Sequence, residues 1–483
     1  MMIPVERFAA YSILTASLLA MQASAAEQLD LLIRHATVVD VVDGRLLKDQ
    51  DITVRDGRIV AIEPAGKSAA AQGRETVDAS GKFAIPGLWD MHVHFGGGES
   101  LIEENRNLLP LYIAHGITAV RDAAGDLSPS VFQWRAEVAA GQLLGPTIFT
   151  SGPKIEGRGS IWPGDTEIGT REELNAALDR LQEWRADFVK ITDDKLSPEL
   201  FIQAVTEASQ RGFKTSAHIP LGITIEDASA AGLSSIEHMS YAYKAGSTRE
   251  REIANQFRVG ALTREQAWAQ LEETFDAATA TAAYKRLAAR GTAITPTLNG
   301  SRVIAYLDEE THENDAYLKY IGPGLQATST WRVERAAKDD AAAIRRRHER
   351  YERTAAILPL LQQAGVKILA GTDAGFLNSY NYPGIGLHQE LSVFVRAGLT
   401  PLQALQAATI NGAEFMGRAA THGALAAGKA ADLVLLNANP MDDIEATQRI
   451  DAVVLRGTFY SRAELDAMLK EVEAKVARQR AAR

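Results

Sequence analysis

The chain has 483 residues, 46% of them hydrophobic and 23% charged, the composition of a soluble globular protein rather than a disordered, fibrous or polytopic membrane one. Lys and Arg number 51 against 61 Asp and Glu, and the net charge of -10 repels polyanions, so nucleic acid and anionic membranes are not expected partners. There is no cysteine, which excludes disulfides, thiolate metal sites and cysteine nucleophiles together.

Residues 8–21 (FAAYSILTASLLAM) are apolar but short for a bilayer span, and Ala23-Ser24-Ala25 offers the small residues that a signal peptidase accepts. The expectation is a cleaved signal peptide over residues 1–25 and a mature chain starting near Ala26 or Glu27. The protein would then be periplasmic or secreted, with no membrane attachment after cleavage; an uncleaved anchor or a buried helix is the alternative. A chain without thiols suits an oxidising compartment.

From 29 to about 77, short β-rich runs alternate with turns, and Asp43-Gly44 and Asp56-Gly57 are hairpin signals. These strands are too few to close a core alone. A second β-rich block lies at 431–436 (ADLVLL) and 452–455 (AVVL). One small β-sandwich domain built from both chain ends is therefore expected, from residues 26–82 and 421–483, the latter including a terminal helix. Between them, residues 83–420 carry short apolar runs at 84–95, 117–122, 146–151, 188–191, 214–219, 234–239, 293–298 and 366–373, each followed by helix-like sequence. That alternation is what an α/β fold of the parallel (β/α)8 TIM barrel type requires, with a doubly wound sheet as the fallback. Residues 243–290 and 300–356 are longer than usual crossovers and are expected to form helical insertions over the active-site mouth. The basic run from Arg345 to Arg350 reads as a solvated helix face.

Side chains of metal-ligand type recur at the C-terminal ends of these runs, where barrel active sites are built. Asp90-Met91-His92-Val93-His94 sets two imidazoles two residues apart, on the same side of a strand. Alone, that pair also admits a structural reading. Lys190, however, ends FVK, His218 ends TSAH, His238 ends SSIEH, and Asp373 lies in AGTDAG. His35, His115, His312, His348, His388 and His422 fall in the β domain, on helices or in turns, as packing or surface residues; His388 follows Asp373 closely enough to border a pocket.

These motifs resemble the amidohydrolase superfamily over essentially the whole mature chain. Residues 87–94 (GLWDMHVH) are similar to its PGxxDxHxH strand, and Lys190, His218, His238 and Asp373 match, in order, its strand-four lysine, strand-five and strand-six histidines and strand-eight aspartate. Residues 423–436 (GALAAGKAADLVLL) look like its return into the β domain. Within the superfamily the chain looks most like the binuclear group of Xaa-Pro dipeptidases, Xaa-Lys/Arg carboxypeptidases, ochratoxinases and imidazolonepropionase-like proteins. Residues 151–164 (SGPKIEGRGSIWPG) depart from the histidine-bearing GGHG-like segment of that group.

The imidazoles of His92, His94, His218 and His238 suit zinc or similar divalent ions, and Asp373 adds an anionic oxygen. Protonated Lys190 would repel such cations, so it is neutral, displaced or modified, with a salt bridge to Asp193 or Asp194 as the competing role. The resemblance implies a carbamate on Lys190, derived from CO2, bridging two divalent metal ions, zinc foremost. His92, His94 and Asp373 complete one site, and His218 with His238 the other. On that resemblance a metal-bound water would become hydroxide near neutral pH, because a bound divalent ion lowers its pKa from about 16 towards 7. It would attack the carbonyl carbon, and Asp373 would accept the water's proton and carry it to the leaving nitrogen. Candidate substrate contacts are Tyr241 and Tyr243, after His238, with Arg158 and Lys154 in the third run's loop, Arg being suited to a bidentate carboxylate contact. Packing for the tyrosines and solvent exposure for the cations are the alternatives, and Trp162 is a candidate for lining an apolar subsite.

The expected function is an exported binuclear metal-dependent amidohydrolase acting on a small-molecule amide. Its substrate would be a dipeptide or N-acyl amino acid, with ochratoxin-like aryl amides inside the same chemistry. The alternatives are a hydrolase of cyclic amides, lactones, carbamates or phenylureas and, from another class, a catalytically silent periplasmic metal- or ligand-binding protein. Asp373 argues against the last, since a site that only holds metal needs no proton shuttle. Exposed helical insertions also offer surfaces for a homo-oligomer.

Overall fold

The computed structural model describes residues 29–67, 73–193, 195–378 and 380–482. The leader expected over residues 1–25, and Asp194, lie outside the described residues. The chain begins with β1 (Leu29–Val39), β2 (Leu46–Arg55), β3 (Arg58–Pro64), β4 (Gly73–Asp78) and β5 (Phe83–Pro86). Ten short strands follow: β6 (Leu88–His94), β7 (Ile117–Asp122), β8 (Thr147–Thr150), β9 (Ile155–Gly157), β10 (Thr166–Ile168), β11 (Val189–Ile191), β12 (Thr215–Ala217), β13 (Ser235–Glu237), β14 (Ala293–Thr295) and β15 (Ala374–Gly375). The chain then returns through β16 (Leu433–Leu436), β17 (Ile450–Leu455) and β18 (Thr458–Ser461).

Both ends of the chain meet at β5, which pairs parallel with β1 and antiparallel with β16, placing Ile85 opposite Val434. The result is one eight-stranded sheet in the order β18-β17-β16-β5-β1-β2-β3, with β4 also on β1. Residues two apart share a face of a strand, and here each face has its own core. Leu433 and Leu435 join Leu31, Ile33 and Val54 in a small cluster, whereas Val434 and Leu436 join Ile85 and Val453 in the main one. Burial on both faces is why LVLL, Leu433 to Leu436, reads as an unbroken apolar run. Each of these four side chains contributes about 1.5–3 kcal/mol on burial.

The central strands run parallel in two arcs, β15-β6-β7-β8 and β10-β9-β11-β12-β13-β14. Hydrogen bonds join the arcs at their ends. On one side Asp187 N donates to Thr150 O at 2.9 Å; on the other, Ile294 N donates to Lys367 O at 2.9 Å and Met91 N to Ala370 O at 2.8 Å. The run expected at 366–373 therefore lies where a strand belongs, yet it makes only a single parallel bridge, Ile294 to Ile368, before β15. Close approach and a bend explain this. A Cβ on Gly371 would sit 2.9 Å from His92 N and 2.5 Å from Thr295 Cγ2, and Asp373 takes φ 62, which breaks a regular ladder. The parallel pair β9–β10, inside the loop after the third run, was not expected from the sequence.

The two long crossovers are helical, as their composition predicts. The first contains helices Glu250–Arg258, Arg264–Glu273 and Ala277–Arg290, the second Leu298–Ala305, Pro323–Ala327, Thr330–Ala336 and Ala341–Ala356. Local capping sets their starts: Thr263 and Gln266 form a capping box, and Asp340 accepts from Ala343 N. The terminal helix Arg462–Ala481 starts on a Ser461/Glu464 capping box and buries Leu465, Val472 and Val476 along one face against the main core. Among the described residues no helix is long and apolar enough to cross a membrane.

His115 and His388 are buried core residues, with ring centroids 6.3 Å apart, and neither lines the cavity that contains Asp373. Burial pushes His115 down to about 4 and His388 down to about 3, so the folded chain holds both neutral. An unfolded chain protonates histidine near 6.5, so it binds more protons below that pH. Stability is therefore expected to fall as pH drops from about 6.5 towards 4, by about 1.4 kcal/mol per pH unit for each ring. Urea midpoints over that range should show a shallower decline for His388→Asn; an unchanged slope would exclude His388 as a contributor.

Candidate metal centre

His92 and His94 stand on β6, pointing to one side as the two-residue spacing dictates. The His92 ring is buried, its Nδ1 2.7 Å from Glu237 Oε2, while His94 Nδ1 donates to Ala124 O at 2.5 Å. Burial drives the His92 pKa down to about 3, so the ring is neutral. Its proton is fixed on Nδ1 by the carboxylate, and the bare Nε2 lone pair faces His94 Nε2 at 3.2 Å. Two acceptor nitrogens at that distance repel each other unless a cation or proton sits between them.

Asp373 closes this half of the site. Its backbone N donates to His92 O at 2.6 Å, and its Oδ1 lies 2.9 Å from His94 Nε2 and 3.4 Å from His92 Nε2. Ligand atoms of His92, His94 and Asp373 all fall within 4.8 Å of one another. Beneath them, Asp90 accepts from Thr372 N at 2.9 Å and Thr372 Oγ1 at 2.7 Å, tying β6 to the segment that carries Asp373.

The other half comes from β12 and β13. His218, just past β12, and His238, just past β13, face each other Nε2 to Nε2 at 3.0 Å, and His238 Nδ1 contacts Thr297 Oγ1 at 2.7 Å. Burial lowers the pKa of both, His238 to about 4. The halves adjoin, since the His92 and His238 ring centroids are 5.0 Å apart. His238 adopts φ 68 and Asp373 φ 62, left-handed conformations that cost energy in residues with a Cβ and persist here where both side chains turn into the site.

Lys190 on β11 lies beside both halves. It is 1% exposed, and its Nζ has no hydrogen-bond partner among the described residues. Burial lowers its pKa to about 8. A buried amine without a partner is costly, and a site that supplies one through a metal-bridging group relieves that cost. The nearest feature to the expected salt bridge is Asp193, which instead accepts from Tyr241 Oη at 2.9 Å. The residues present thus fit a pair of divalent ions, on the chemistry of the donor set and on the orphaned Nζ.

Glu237, the residue before His238, is a component that sequence reasoning missed. Besides His92 it accepts from Arg121 Nη2 at 2.8 Å and from the Ser216 and Ser235 hydroxyls at 2.6 Å each. Burial works to raise its pKa, but the Arg121 guanidinium and His92 hold it well below the usual carboxylate value. Arg121 is itself fully buried, lying between the rings of Phe188 and Phe415. The signal was present in the sequence as an acid beside a candidate ligand and a lone arginine inside an apolar strand.

The candidate substrate contacts separate. Tyr241 lines the cavity, its ring stacked on His218 with centroids 5.2 Å apart. Lys154 and Trp162 line it too, with Lys154 already paired to Asp165 at 3.1 Å. Tyr243 stacks on Phe275 and lines a neighbouring cavity, and the exposed Arg158 pairs with Glu173 away from the site. Of the basic run, Arg347 and Arg350 line an adjoining cavity rather than a solvated face alone.

Imidazoles, a carboxylate and a buried amine at strand ends of a parallel α/β fold are the equipment of a hydrolase that works with divalent metal. The profile of the amidohydrolase family matches residues 83–459, and the chain belongs to that family. Ochratoxinase of Aspergillus niger is 25% identical over 474 aligned residues, covering 85% of this chain and 82% of the relative. Among solved structures, bottromycin amidohydrolase aligns with a TM-score of 0.72 at 22% identity, over 92% of this chain and 90% of that one. A Xaa-Pro dipeptidase with methionine bound in its active site aligns with a TM-score of 0.66 at 20% identity, over 89% and 99%. The structural likeness shows an α/β fold of the TIM-barrel type, and the family establishes an enzyme that hydrolyses amide bonds. The superfamily generally binds divalent metal, in keeping with the His92, His94 and Asp373 group.

Proposed function

We propose that the chain is an exported, binuclear metal-dependent amidohydrolase that releases an amino acid from a dipeptide or an N-acyl amino acid. The observation that carries this reading is that His94, His218, His238, Asp373 and the partnerless Lys190 line one cavity of about 290 Å³, with the buried His92 Nε2 3.2 Å from His94 Nε2. His92, His94 and Asp373 would hold one ion and His218 with His238 the second. Lys190 would serve both as a carbamate, its nitrogen bonded to the carbon of CO2 with loss of a proton. Zinc is the ion whose usual ligands match this set. When bound, such ions lower the pKa of water from about 16 towards 7 and polarise a carbonyl.

The chain's own residues do the rest. Glu237 fixes the tautomer and orientation of His92, as second-layer carboxylates do for metal-bound histidines. Asp373 receives a proton at its carboxylate and delivers it to the leaving nitrogen. Support for an amino-acid product comes from the Xaa-Pro dipeptidase neighbour, whose active site holds methionine. Support for export comes from the apolar run and the small residues before Ala26. The hydrogen bonds joining the two arcs support a closed (β/α)8 barrel over residues 83–420, and the separate core of the end-built sheet supports a β-sandwich.

The test is amino-acid release from a panel of dipeptides and N-acyl amino acids, with metal content measured on the same sample. Turnover of no member by chain carrying two ions would overturn the reading. Lys190→Met is expected to lower bound metal from two ions towards one per chain, and to abolish label uptake from ¹³CO2 by mass spectrometry. Two ions retained in that variant would remove Lys190 from the centre.

A further inference from the structure

The second insertion brings Arg332, on helix Thr330–Ala336, to the rim of the metal centre. Arg332 lines both the cavity of about 290 Å³ around His94, Lys190 and Asp373 and an adjoining one of about 380 Å³; the two also share His238, Tyr241 and Asn378. Its Nε is buried and has no hydrogen-bond partner among the described residues. The other arginines lining these cavities are engaged: Arg264 lies 3.6 Å from Asp193, Arg347 pairs with Asp308 at 2.9 Å, and Arg350 with Glu272 at 3.0 Å. The Asp373 carboxylate turns instead to His94 and His92.

A guanidinium N–H withdrawn from water without an acceptor, as at the Arg332 Nε, is costly, and an anionic ligand that arrives in the plane of the group recovers the loss through two parallel hydrogen bonds. The surroundings limit what that ligand can be. The Arg332 guanidinium lies over the Trp331 ring at 4.9 Å, and Trp331 is 6.5 Å, centroid to centroid, from Trp162. Trp162, Pro163, Phe376 and Leu377 form an apolar wall of the same cavity. Anionic recognition therefore sits next to an apolar surface, beside the group that cleaves.

We propose that Arg332 is the residue that reads the substrate's carboxylate, so that the enzyme selects amides of amino acids with a free carboxylate and an apolar side chain. This rests on the reading of the site as one that releases an amino acid. A carboxylate on Arg332 orients the amide towards Asp373, while the side chain lies against the tryptophan and phenylalanine wall. A neutral carboxamide in the same place gives up the charge-assisted pair and leaves the guanidinium only partly satisfied.

Two measurements test the proposal separately from the chemistry. Calorimetric titration of the metal-loaded chain with methionine and with methioninamide should show preference for the acid. Arg332→Leu and Arg332→Gln should reduce that preference roughly 10- to 100-fold, and Arg332→Lys, which keeps the charge but loses the fork, should restore part of it. Acetate release from N-acetylmethionine relative to N-acetylmethioninamide should lose the same factor, mainly through KM. A wild-type chain that binds both probes equally, or variants that keep the preference while folded and metal-loaded, would overturn the assignment of Arg332. Absence of any acetate release by wild-type chain would instead count against the proposed function, while the titrations still decide Arg332.

Discussion

Asp373→Asn is expected to lower kcat/KM for an amide substrate by about 10²- to 10⁴-fold, the span that a positioned proton-transfer group contributes. The variant should remain folded, because the backbone bond from residue 373 N to His92 O does not depend on the side chain. Asparagine keeps the size and one oxygen of the carboxylate, so partial metal content should persist. What it cannot do is take up a proton and pass it on. The carboxylate is suited to that task by position: it is one-fifth exposed, beside His94 and His92, and it lines the cavity of about 290 Å³. Activity within tenfold of wild type at equal metal content would remove Asp373 from the proton path.

Glu237→Gln is expected to destabilise the fold by about 3–5 kcal/mol and to weaken metal binding by about 10- to 100-fold. The first effect belongs to Arg121. That guanidinium is fully buried, and Glu237 supplies its countercharge, so an amide in the same place leaves a positive charge stranded among Phe188 and Phe415. The second belongs to His92, whose Nδ1 proton would lose its anionic acceptor. Pairing Glu237→Gln with Arg121→Met should recover much of the stability but not the metal affinity, because only the charge imbalance is repaired. Urea unfolding of metal-free chain separates the two effects; a loss below 1 kcal/mol in the single variant would refute the buried-pair account.

Much of this architecture is legible in the amino-acid sequence. Lys190, His218, His238 and the HxH pair stood out because chemically unusual residues ended apolar runs, and strand direction puts such ends on one rim. The joining of both chain termini in one sheet was legible because neither β-rich block suffices alone. What escaped depends on contacts that no local pattern encodes. Glu237 acts through Arg121 from β7 and His92 from β6, far apart in sequence, and Arg332 lies in an insertion with no strand or motif to mark its direction. Lys154 and Arg158 were attractive as free cations, but Asp165 and Glu173 claim them. The eighth run lies in place but forms only a single bridge, and Asp373 leaves the ladder at positive φ, a conformation that its residue type does not announce.

Of the candidate ligands, His92, His94 and Lys190 stand on strands, His218 and His238 just past them and Asp373 just before β15, whereas Arg332, Arg347 and Arg350 all arrive on the single stretch from residue 300 to 356. On the proposed function, reactivity and the selectivity assigned to Arg332 are carried on different pieces of chain. On that reading, exchange of that one stretch between relatives is expected to change which acids are accepted while leaving the candidate ligands in place.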